Sequence, residues 1–242
     1  MYRRLVNLQN IRATWILFEL EMEGIVMQIT IREPGSAITH FIAMMMAVFA
    51  AVPLLVKAAV TSGPRNFIAM AIFMGSLILL YGASATYHSV DFSGKRLRLF
   101  RKIDHMMIFV LIAGSYTPVC LIVLGGQLGY TLLATVWGIA IVGMLIKALW
   151  INCPKWFSSV IYIAMGWVCL GVFGTLWDTL PTSAFVWLLA GGLIYTIGGV
   201  IYALKLPIFN SKHKNFGSHE VFHLFVMGGS VCHFIFMFLY VA

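Results

Sequence analysis

Residues 67–88 read FIAMAIFMGSLILLYGASATYH and contain no Asp, Glu, Lys or Arg. An α-helix crosses the hydrocarbon core of a bilayer in about 20 apolar residues, so this stretch predicts one spanning helix. Its last turn and a half departs from that simple character. Ser84 and His88 are four residues apart, and so share one face of the helix.

Six further apolar runs surround it, at about 37–57, 104–124, 130–150, 157–177, 184–204 and 219–240. Turn-forming stretches separate them: Ser62-Gly63-Pro64, Ser93-Gly94-Lys95, Gly125-Gly126, Cys153-Pro154, Leu180-Pro181 and Pro207 through Gly217. The fold class expected is an all-α integral membrane protein, a bundle of seven transmembrane helices over residues 36–242. Residues 1–35 are expected to form a cytoplasmic leader. Within it Trp15, Ile16, Leu17 and Phe18 suit a short amphipathic segment on the membrane surface.

Composition agrees with this reading. Of 242 residues, 61% are hydrophobic and 10% charged, and the mean hydropathy is +0.95. A soluble domain is nearer half apolar and a quarter charged. The net charge of +8 does not signal nucleic-acid binding, because the basic residues lie between apolar runs rather than in one tract. Cys120, Cys153, Cys169 and Cys232 have no paired spacing, so neither a disulfide framework nor a cysteine zinc site is indicated. No cleavable signal peptide is expected: Arg3, Arg4 and Arg12 are followed by Glu19, Glu21 and Glu23, without a clean apolar core and cleavage site.

Basic residues mark the cytoplasmic side of a membrane protein. With the N-terminus inside, fourteen of the sixteen lysines and arginines fall in inner segments, and only Lys57 and Arg65 fall outside. Seven spans then place the C-terminus outside. This topology puts the polar residues of the spans into one layer. Glu33 and His40 open the first run, Ser84 and His88 close the second, and Asp104 and His105 open the third. Ser218, His219, Glu220 and His223 open the last. All are expected in the inner leaflet.

Two histidines one helical turn apart, His219 and His223, with a third, His88, from another helix form a three-histidine set for Zn2+ with one position left open. That pattern belongs to catalytic zinc, which acidifies water to a pKa of about 7. Asp104 is the expected general base. Ser84, one turn from His88, is expected to orient the water or a substrate carbonyl. Ligand histidines pass the proton of their second nitrogen to an acceptor; Glu33, Ser218 and backbone carbonyls are the candidates, with His40 nearby. The string His219-Glu220-x-x-His223 is also a zinc-protease signature. At the first turn of a helix, however, Glu220 is explained by the helix dipole. His105 and His233 are expected to be helix-to-helix hydrogen-bond donors. His233 lies about 15 Å along the helix from His223, too far to join the same site. His213 sits in a basic loop and is expected to be solvated.

Glu33-Pro-Gly-Ser36-Ala-Ile-Thr39-His40, Ser84-x-x-x-His88, Ile103-Asp104, Gly114-Ser115-Tyr116-Thr117-Pro118 and His219-x-x-x-His223 follow one another at the right span ends. As an ordered set they resemble the bacterial hemolysin III family, of the progestin and adipoQ receptor superfamily, distantly like alkaline ceramidases. The resemblance covers residues 30–240. It implies a seven-helix fold in the bacterial cytoplasmic (inner) membrane. It further implies zinc on His88, His219 and His223, with Asp104 and Ser84 beside the reacting water. Two functional expectations follow. One is a zinc-dependent hydrolase acting on a membrane lipid amide or ester. The other is a non-enzymatic membrane sensor or cytolysin with structural zinc. No protein partner is indicated. Ser36 stands where receptor members commonly carry Asn.

Overall fold

The computed structural model describes residues 31–204 and 216–242. The expected leader, with its Trp15–Phe18 segment, therefore lies almost wholly outside the described residues, as does the basic loop carrying His213. Eight α-helices are described: α1 (Pro34–Thr61), α2 (Pro64–Ser89), α3 (Gly94–Pro118), α4 (Gly126–Leu149), α5 (Lys155–Gly166), α6 (Phe173–Thr179), α7 (Thr182–Leu204) and α8 (Ser218–Phe236). Short π-helical turns continue α3 over Val119–Leu124 and α8 over Met237–Val241. These elements make seven stretches long and apolar enough to cross a membrane, one for each predicted run.

The first three helices and the last pack through small residues. On α1, Ala43, Ala47 and Ala51 recur at four-residue spacing and are buried with Leu54 and Ala58, chiefly against α2. The opposite face shows Phe41, Phe49, Val52, Val56 and Val60 to the surroundings. In lipid no hydrophobic force pulls helices together, so close approach through small residues does that work. Gly114 of α3 shows how close the approach is. A Cβ there would stand 2.3 Å from the Ser76 hydroxyl of α2. Gly198 of α7 plays the same part against Phe225 of α8, at 2.6 Å.

The fifth run differs from its prediction. It was expected as one helix over 157–177. Instead α5 ends at Gly166, a 3-10 segment covers Val168–Val172, and α6 resumes at Phe173. Broken backbone at membrane depth needs substitute hydrogen-bond partners. Tyr116 of α3 supplies them: its hydroxyl donates to the Gly166 carbonyl at 2.6 Å and accepts from the Cys169 N–H at 3.0 Å. Trp167 Nε1 donates to Thr196 Oγ1 of α7 at 2.8 Å. Apolar periodicity does not show this break, because the residues on both sides are apolar.

Candidate metal centre

Four helix ends meet at one end of the bundle. The residues before α1 are tied to the end of α2 by backbone bonds, Glu33 N–H to the His88 carbonyl at 3.0 Å and Arg32 N–H to the Ser89 carbonyl at 3.4 Å. This sets the Glu33 carboxylate against His88, whose Nδ1 donates to Glu33 Oε2. That bond holds the Glu33 carboxyl below the usual carboxylate range, against the opposing effect of its partial burial.

A carboxylate only accepts, so His88 Nδ1 carries a proton, and in the neutral ring Nε2 keeps its lone pair. His223 is set in the same way by Thr39. The Thr39 hydroxyl has carbonyl acceptors at Gly35 (2.9 Å) and Ser36 (3.0 Å), which leaves its oxygen to accept from His223 Nδ1 at 3.2 Å. His223 Nε2 is thereby left bare. His219 Nε2 lies 3.4 Å from His88 Nε2. One nitrogen from each of His88, His219 and His223 falls within 4.8 Å of the others.

These residues fit a zinc ion. With Zn–N bonds of about 2.0–2.1 Å, two ligands of a tetrahedral ion stand about 3.3–3.4 Å apart. His219 Nδ1 is buried without a partner among the described residues. Ser218 opens α8 beside it.

Asp104 of α3 is buried, and the Ser84 hydroxyl interacts with its carboxylate. Asp104, Ser84, His219 and His223 line one cavity of about 200 Å³. From this polar end the cavity follows α3 to Val119, about 22 Å at the helical rise. Its far end is walled by Leu176 and Phe185. The space is mostly apolar; Ser84, Asp104, His219 and His223 gather at one end, and Ser115, Tyr195 and His233 add scattered polar groups farther along.

His40, expected near the site, makes no hydrogen bond among the described residues; its ring stacks on His223 at 3.6 Å. Sequence reasoning and structure part at three points. His105 was expected to bond across helices, but its Nδ1 has no partner and its Nε2 lies 3.9 Å from the neighbouring Asp104. The cross-helix bond there is made by its backbone carbonyl, which accepts from Tyr162 at 3.1 Å. Thr39 was not assigned a role, although its place four residues after Gly35 allows the observed bond. Glu220 does more than favour a helix dipole. One oxygen accepts from Gly217 N–H at 2.8 Å and the other from the Ser36 hydroxyl of α1. His233 bonds across helices as expected, Nε2 to the Leu188 carbonyl at 3.3 Å.

The family described as haemolysin-III related matches residues 28–234. The chain belongs to the haemolysin III family. It is 35% identical over 209 residues to Hemolysin-3 of Bacillus cereus, covering 86% of this chain and 91% of that one. It is 34% identical over 212 residues to the Hemolysin-3 homolog of Bacillus subtilis (strain 168), covering 87% and 95%. A more distant similarity, 25% over 224 residues, joins it to Progestin and adipoQ receptor-like protein 1 of Caenorhabditis elegans, with 84% of this chain and 50% of that one covered. Haemolysin III membership and seven apolar helices make it a multi-pass membrane protein. The site and cavity are features of this haemolysin III chain's own side chains.

Proposed function

We propose that the protein binds zinc through His88, His219 and His223 and hydrolyses an amide or ester bond of a membrane lipid. The observation that carries this reading is the junction of a three-histidine set with a mostly apolar cavity that follows α3, and Asp104 and Ser84 at the join. Zinc there supplies Lewis acidity that polarises a carbonyl and acidifies water to a pKa of about 7. Asp104 accepts the proton of the attacking water and returns it to the leaving group. Ser84 holds the Asp104 carboxylate and orients what it faces. Glu33 and Thr39 fix the rings and tautomers of His88 and His223. The apolar walls align the lipid chain and keep water scarce around the polar end. Charge distribution supports an inner-leaflet site, with the N-terminus cytoplasmic and the C-terminus outside.

The engagement of Glu220 by Gly217 and Ser36 argues against the protease alternative, in which that carboxylate would be the base. A non-enzymatic reading is favoured by a different observation. The cluster joins α2 to α8 and, through Glu33 and Thr39, the start of α1, so zinc would staple the first and last helices together. Purified protein assayed against a panel of acyl-amide and ester lipids separates the two readings. Turnover that requires zinc and is lost in Asp104→Ala supports hydrolysis. Zinc retention without turnover of any lipid, and a membrane phenotype that survives Asp104→Ala, supports the staple.

A further inference from the structure

Lys147, near the end of α4, is 2% exposed. Burying an ammonium group is costly unless an anion pairs with it. No carboxylate among the described residues lies within ion-pair reach of Lys147. Its Nζ instead donates to Cys153 Sγ at 3.1 Å and to Ser158 Oγ. Cys153 and Ser158 are themselves 3.2 Å apart, Sγ to Oγ. The three polar atoms form a closed triangle between the end of α4, the connecting loop and the first turn of α5. Cys153 is the only member that can become an anion near neutral pH.

The groups around this triangle are few. Tyr162 of α5 and Tyr202 of α7 lie within electrostatic reach of Cys153. Arg101 of α3 donates to Asn152, the residue before it, at 3.4 Å. The Lys147 ammonium also stands 5.9 Å from the Tyr162 ring. His105 of α3 is within electrostatic reach of Lys147, and among the described residues no carboxylate pairs with the cluster. Ser158 lines the long cavity, which therefore reaches one member of the cluster.

We propose that Cys153 is a modification site, a reactive thiol held as the anionic partner of Lys147, open to peroxides and small soft electrophiles. The inference stands on the Lys147–Cys153–Ser158 geometry and is independent of the zinc reading. Burial by itself would raise the Cys153 thiol, but the hydrogen bonds from Ser158 and Lys147 and the charge of Lys147 outweigh it and pull it down. With a peroxide the sulfur attacks one peroxide oxygen and the O–O bond breaks. Sulfur is oxidised to a sulfenate and the peroxide is reduced to water or an alcohol. The product keeps an anion against Lys147. All four cysteines are free, and among the described residues no lysine or arginine donates a hydrogen bond to Cys120, Cys169 or Cys232.

The test is site-resolved alkylation of the full-length protein in detergent micelles, with iodoacetamide as probe and mass spectrometry to read each cysteine from pH 6 to 9. A thiol of ordinary pKa near 8.5 loses about tenfold in rate for each pH unit below that value. Cys153 is expected to keep alkylating at lower pH than the other three cysteines, its profile displaced toward lower pH. Lys147→Met should move that profile up toward theirs, and Lys147→Arg should leave it displaced. Hydrogen peroxide followed by a dimedone probe should tag Cys153 ahead of the other cysteines. A wild-type Cys153 profile that coincides with those of the other cysteines overturns the proposal. So does a Cys153 that labels only after denaturation. The wild-type profile decides even if Lys147→Met fails to fold.

Discussion

The two sides of this bundle are built differently. Where α1, α2, α3 and α8 meet, small residues bring backbones close and polar groups are paired across helices: Glu33 with His88, Thr39 with His223, and Ser36 with Glu220. On the side of α5, α6 and α7, the helical backbone is interrupted and Tyr116 patches the gap. Gly171 and Gly174 there face open space, whereas Gly114 of α3 does not. The contrast fits a division of labour. Ligand geometry for a metal demands rigid support, and a wall that accepts a lipid chain does not.

The sharpest way to test that division is to remove the one carboxylate at the join. Asp104→Asn should lower turnover of a responsive lipid by about 10²–10⁴-fold, the range for a general base, while zinc stays bound. Kinetics and metal content on the same preparation check it; zinc loss would reassign Asp104 to the ligand set. Next in size is packing. Gly114→Val should destabilise the protein by about 1–3 kcal/mol or more through overpacking, whereas Gly174→Ala should be nearly neutral. Thermal unfolding in detergent compares them, and equal effects would erase the distinction between the two sides.

Smaller effects are expected from the groups that orient the histidines. Glu33→Gln and Thr39→Val should each weaken zinc affinity by about 10–100-fold, as measured by chelator competition. Glu220→Gln should cost about 1 kcal/mol in stability, as loss of a helix cap does, and leave zinc affinity unchanged. A large loss of zinc affinity or turnover in Glu220→Gln would revive the protease reading.

Much of this was legible in the sequence, for identifiable reasons. Spans are dictated by bilayer thickness, so the seven runs appear as seven apolar stretches. Ionisable residues within them stand out because lipid makes them costly, and His88, Asp104, His219 and His223 did so. Features that rest on meetings between distant side chains were not legible. The stacking of His40 on His223, the service of Tyr116 to the broken helix and the Lys147–Cys153–Ser158 triangle have no spacing signature. Cys153 was read only as part of a turn, since nothing local shows that a buried lysine reaches it. Ser36 gained its meaning only when Glu220, on the last helix, was found beside it.

The central claim is that three histidines of two helices hold one zinc ion. Metal analysis of the purified wild type and of His88→Ala, His219→Ala, His223→Ala and His233→Ala tests it most directly. The account predicts about one zinc per chain in the wild type and in His233→Ala, which lies outside the cluster, and its loss from the other three. Zinc retained in all of the variants, or absent from a folded wild type supplied with zinc, would contradict it.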